Sequence, residues 1–145
     1  MRKPIRTRMY LLALPTVFAG PMLYFLLPHI THTDLSAWLT GHSLSRASLL
    51  VMIPYFGLVH PFFEQLHWGP LRDRTPLAHP LFAGYHVLVL SSILTAFWLV
   101  VCLACLVAAS VLWQFMAARA KSLAIPVLSH ILADLSVIVA VWLRI

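Results

Sequence analysis

Only four residues of this chain are acidic: Asp34, Glu64, Asp73 and Asp134. Asp34 and Asp73 fall in polar stretches, where solvation accounts for them. Glu64, in "FFEQLHW", and Asp134, in "SLAIPVLSHILAD", fall within or beside apolar runs. An ionisable group at the bilayer centre costs at least about 2.5–3.5 kcal/mol, so such residues generally serve a purpose. His130 stands four residues before Asp134, on the same helical face. His86 closes "LFAGYH", with Phe82 one turn earlier. A carboxylate withdrawn from water can act as a general base near neutral pH. An imidazole can hold a water or stabilise an oxyanion, and a carboxylate beside it fixes its tautomer. Glu64, His86, His130 and Asp134 together therefore suit water activation and amide hydrolysis, with or without a metal.

The elements that must position these residues are membrane helices. Of 145 residues, 61% are hydrophobic and 10% charged, against about 25% charged in soluble domains. Several windows approach the roughly 20 apolar residues that span a bilayer. The expected fold is an all-α polytopic transmembrane bundle forming a single membrane domain over 1–145, with about five crossings and four as the alternative. The first helix is expected over 9–28, the second over 47–66 with kinks at Pro54 and Pro61, and the last over 123–143. The polar segment 29–46 has room for a short interfacial helix near Leu35 to Leu39. The stretch 67–80, with Gly69 and three prolines, reads as a firm break. Residues 81–118 contain no Pro and no charge. As one helix they would reach about 57 Å, far beyond a membrane's need, so two passes turning near Ser91 to Thr95 are expected.

Charge sets the orientation. The net charge is +6, and four of the ten Lys and Arg lie in "MRKPIRTR", residues 1–8. These place the N-terminus in the cytoplasm, in what is expected to be a bacterial inner membrane. Arg72, Arg74, Arg119 and Lys121 should share that side, which two passes over 81–118 satisfy. Glu64, His86 and His130 then lie at a similar depth. No basic soluble face exists to bind nucleic acid. Cys102 and Cys105 sit deep in an apolar run and read as small core residues. His29, His32, His42, His60, His67 and His79 read as interfacial or loop residues.

With these positions in hand, the chain resembles the CAAX protease and bacteriocin-processing (Abi) family of intramembrane proteases. The family's motifs are E-E-x-x-x-R, F-x-x-x-H and H-x-x-x-N or H-x-x-x-D. Here "EQLHWG" aligns with the first, "FAGYH" (Phe82 to His86) with the second and "HILAD" (His130 to Asp134) with the third. The likeness covers 46–143 as a protease-like core. It implies Glu64 as the base that activates water, His86 as an aid to that water or the oxyanion, and His130 with Asp134 as completing the site. Gln65 and Phe82 are implied as supporting residues. Gln65 and Gly69 replace the motif's second glutamate and its arginine.

The expected function is that of an endopeptidase cutting a membrane-associated protein or peptide. A catalytically inactive member acting by binding, immunity or scaffolding is the alternative, followed by a b-type haem protein using two of His60, His86 and His130. The residues leave a divalent metal such as zinc open, with His86 and His130 as the pair that would hold it.

Overall fold

The computed structural model describes residues 7–145. The basic segment expected to be cytoplasmic, 1–8, falls mostly outside them. Every extended element among the described residues is helical. A 3-10 segment, Thr7–Phe18, runs into α1, Ala19–Ile30, and the short α2, Leu35–Gly41, follows. Asp34 opens α2 by accepting the Ala37 N–H at 2.7 Å, the side-chain cap that satisfies an orphan helix donor. This is the interfacial helix expected near Leu35.

The second membrane helix is a composite rod of 29 residues. Ser45 and Ser48 form a reciprocal capping box at the start of α3, Arg46–Pro54. A π segment, Tyr55–Val59, leads into α4, His60–Arg74. Pro61 would drive its ring into the carbonyl four residues back, at Gly57. A local π turn widens the backbone there and keeps the rod continuous. The expected proline kink thus appears as a change of pitch. Gly57 also lets the rod lie directly on the last helix. A Cβ there would stand 2.7 Å from Leu135 Cδ1 and 3.1 Å from its Cα, and a backbone atom cannot step aside cheaply. Gly57→Ala should therefore cost about 1–3 kcal/mol through overpacking, read as a lower melting temperature of the purified protein in detergent. An unchanged melting temperature would refute that close contact.

The firm break expected over 67–80 narrows to residues 75–77. α4 continues through Gly69 and Pro70 to Arg74, and α5, Ala78–Leu90, starts after three residues. Tertiary contacts override the breakers. Arg72 donates from Nε to Ser110 Oγ (2.8 Å), and Gln114 donates from its amide to the Arg72 carbonyl (2.9 Å).

The apolar stretch after the break divides as expected. α5 ends at Leu90, and α6, Ala96–Ala120, returns antiparallel beside it. The turn is tied to α1 by the Thr95 N–H donating to Ile30 O at 3.0 Å. Lys121 closes α6 in the left-handed conformation, φ 50°. α7, Ala124–Arg144, packs against the 3-10 segment, α1, α3, the π segment, α4 and α6. It is the hub of the bundle.

Four helices are long and apolar enough to cross a membrane, and α5 is a shorter apolar helix of 13 residues. The burial pattern inverts that of a soluble protein. Val51, Leu88 and Phe25 are 79%, 76% and 71% exposed, whereas Gln65, Ser110 and Ser129 are fully buried. Such a surface suits lipid, and the polar interior is where membrane helices exchange hydrogen bonds. The protein is an all-α helical membrane bundle. Met9, Trp68 and Ala120 pack against one buried apolar cluster that includes Phe82 and Trp113, and Arg72 meets Gln114 on the α4 and α6 side. Trp142 donates to the Arg46 carbonyl at 3.1 Å, tying the end of α7 to the start of α3.

Candidate functional site

The polar interior is built from two helices crossing beside Gly57. α4 carries His60, Glu64, Gln65 and Arg72, and α7 carries His130 and Asp134. His60 and Glu64 are four apart, as are His130 and Asp134, so each helix presents one imidazole and one carboxylate from adjacent turns. His130 Nε2 lies 3.4 Å from Glu64 Oε2 and 3.4 Å from Asp134 Oδ2. His60 Nδ1 lies 3.7 Å from Glu64 Oε2. Glu64 and His130 are buried, while His60 and Asp134 are half-buried and open the cluster on one side.

Behind this cluster the hydrogen-bond directions can be assigned from chemistry. A guanidinium only donates, so the 2.8 Å contact of Arg72 Nη1 makes Gln65 Oε1 an acceptor. The Gln65 amide nitrogen then donates to His130 Nδ1 at 3.0 Å. A neutral imidazole that accepts at Nδ1 carries its hydrogen on Nε2. That hydrogen points between Glu64 and Asp134. Trp113 stacks on the His130 ring at 4.1 Å between centroids, and its indole donates to Ser129 Oγ at 3.0 Å, so the ring is clamped.

Arg72 is held with equal care. Its Nε donates to Ser110 Oγ. The Ser110 hydroxyl donates to His79 Nδ1 (2.9 Å), and His79 Nε2 donates to Gln114 Oε1 (3.1 Å). The Gln114 amide closes the circuit on the Arg72 carbonyl. The circuit satisfies Arg72 Nε and Nη1, while Arg72 Nη2 is buried without a partner. The guanidinium also lies over the rings of Phe82 and Trp113, at 5.2 and 5.5 Å.

Positions 65, 69 and 72 share one face of α4, so Arg72 reaches Gln65 across Gly69. At position 69 a Cβ would stand 2.9 Å from Leu123 Cδ2, so the end of that leucine side chain would have to shift.

Of the residues expected in the site, Glu64, His130, Asp134 and Gln65 come together, and Phe82 lies edge-on to His130 at 6.1 Å. His86 is set differently. Its Nδ1 donates to the Phe82 carbonyl (2.9 Å) and its Nε2 accepts from Tyr85 OH (3.2 Å). Its ring abuts Phe82 at 4.7 Å, so Phe82 touches both imidazoles. Among the described residues, no hydrogen bond or ion pair joins His86 to Glu64, His130 or Asp134. Two histidines read as interfacial or loop residues belong to the interior instead: His60 at the cluster and His79 in the network around Arg72. The i, i+4 spacing of His60 to Glu64, the same as that of His130 to Asp134, was the signal for the first. Cys102 and Cys105 are free thiols in α6; Cys102 packs against an apolar cluster, whereas Cys105 is exposed and is not the core residue expected.

Two buried side-chain polar atoms of the described residues lack a partner, Arg72 Nη2 and Glu64 Oε2. Glu64 Oε2 is buried and has no hydrogen-bond partner, although two imidazoles stand within 3.7 Å of it. The donor atoms of His60, Glu64 and Asp134 lie within 4.8 Å of one another. Comparison of the chain with protein-family models, with curated proteins and with solved structures gives no match.

Proposed function

We propose that the protein is an intramembrane endopeptidase that hydrolyses a peptide bond of a membrane-associated protein or peptide. Glu64 is the base, taking a proton from a water held at its Oε2. His130 donates from Nε2 to the same water or to the oxyanion that forms, and Asp134 holds that hydrogen in place between turns. Gln65 and Arg72 act as positioning residues that set the His130 tautomer. The observation that carries the reading is the buried, unpartnered Glu64 Oε2 3.4 Å from the Nε2 of His130. Oriented water beside a base of this kind is the requirement for general-base hydrolysis, and the resemblance of the three motifs supplies the substrate class. The basic end of the bundle faces the cytoplasm on this reading, and substrate enters from that side.

The test is cleavage of a panel of membrane-anchored peptides by the purified protein in proteoliposomes. His130→Gln should lose most of the activity, whereas His86→Ala should keep more than His130→Gln does, because His86 bonds within its own helix. Wild-type rates in His130→Gln would sink the site. No cleavage by the wild type across the panel would instead favour a binding role for the same interior.

A further inference from the structure

We propose that His60, Glu64 and Asp134 form a binding site for a divalent transition-metal cation of the zinc class. Three observations meet there. The first is the donor set: one imidazole nitrogen and two carboxylate oxygens, all within 4.8 Å of one another. Tetrahedral zinc holds its ligands at about 2.0–2.2 Å, which places neighbouring ligand atoms roughly 3.3–3.6 Å apart. The His60 Nδ1 to Glu64 Oε2 separation of 3.7 Å is already close to that.

The second is the orphaned Glu64 Oε2, on a side chain 8% exposed and turned into the cluster. The third is charge. Two carboxylates face one another inside an apolar bundle, and among the described residues neither forms an ion pair with Lys or Arg. Arg72 is instead committed to Gln65 and Ser110. A divalent cation neutralises the pair. An imidazole with carboxylates suits zinc, iron or manganese, which bind nitrogen and oxygen together. Three protein ligands with one side open is also the arrangement of a site that keeps a free coordination position. The half-buried His60 and Asp134 leave that side accessible.

His130 belongs outside the ligand set. Its Nε2 carries the hydrogen, because Nδ1 accepts from Gln65, so it has no lone pair for a cation and stands 3.4 Å from each carboxylate. Partners of this outer kind fix the orientation of ligands. Lewis acidity toward a bound carbonyl is the chemistry such a site supplies. Binding at the site does not rest on the hydrolase reading, and a Glu64 engaged as ligand is not at the same time a free base.

The experiment uses the purified full chain in detergent, stripped with chelator, then titrated with Zn²⁺ by calorimetry and with Co²⁺ by visible absorption. One cation per chain with a Co²⁺ ligand-field band is expected. His60→Ala and Asp134→Asn should each weaken Zn²⁺ binding by more than about 100-fold, beyond the roughly 10–100-fold typical of outer partners. Asp134→Asn is nearly isosteric and keeps the packing, so loss of binding there is not loss of fold. Absence of binding by the wild type overturns the proposal. So does affinity unchanged in either variant, which would put the cation on exposed histidines such as His29, His32, His42 and His67.

Discussion

Glu64→Gln should lower peptide-bond cleavage by about 10²–10⁴-fold, the usual contribution of a positioned general base, with the protein still folded. The substitution keeps the side chain's shape and replaces an acceptor oxygen with an amide. Nothing in the structure hydrogen-bonds Glu64 Oε2, so no native hydrogen bond of that atom is broken. A buried charge is also removed, and removing it relieves a desolvation cost. The melting temperature should therefore stay level or rise while cleavage collapses. That opposite movement distinguishes a base from a structural residue, whose loss would lower stability and activity together. Measured in proteoliposomes, a Glu64→Gln protein that cleaves at the wild-type rate would remove Glu64 from the chemistry. A protein that binds Zn²⁺ as inferred and yet never cleaves a peptide would separate the metal site from the hydrolase reading.

The features legible in the sequence are those that depend on local patterning. The apolar runs, the helix over Leu35 to Leu39 and the turn between Ser91 and Thr95 all follow from hydropathy, polar breaks and length. The His130–Asp134 pair follows from helical spacing. The extension of α4 through Gly69 and Pro70 did not, because the local signals there point to a break. What overrides them is a long-range circuit through Ser110, His79 and Gln114, residues 31 to 42 positions away from their partners. His79 was misread for the same reason: its partners lie on another helix. His60 was legible in its i, i+4 spacing to Glu64, both in α4, and was passed over because histidines near helix ends are commonly interfacial. Arg72 shows the same lesson inside a motif. Counting along the chain puts it out of register, while counting around the helix puts it on the Gln65 face.

Gln65→Glu is the sharper probe of the site, because Arg72 already bonds the side chain at position 65. In the wild type the hydrogen of His130 sits on Nε2, since Gln65 offers an N–H to Nδ1. A carboxylate at position 65 has no hydrogen to offer. One oxygen would take the Arg72 Nη1 bond, now charge-assisted, and the other would face Nδ1, which must then carry a hydrogen. Nε2 keeps its own, because its bare lone pair would otherwise face Glu64 and Asp134 at 3.4 Å. The ¹⁵N spectrum of histidine-labelled protein reads this directly: the His130 Nδ1 signal should move from the unprotonated to the protonated range, with His130→Gln identifying the peak. If Nδ1 is protonated in the wild type already, the Gln65 amide is turned around and the Arg72–Gln65–His130 chain fails as drawn. If the signal moves as expected, the proton at the heart of the site is set by a residue that never touches substrate. Gln65 then keeps His130 neutral with its hydrogen on Nε2, and Arg72 holds the amide that does so.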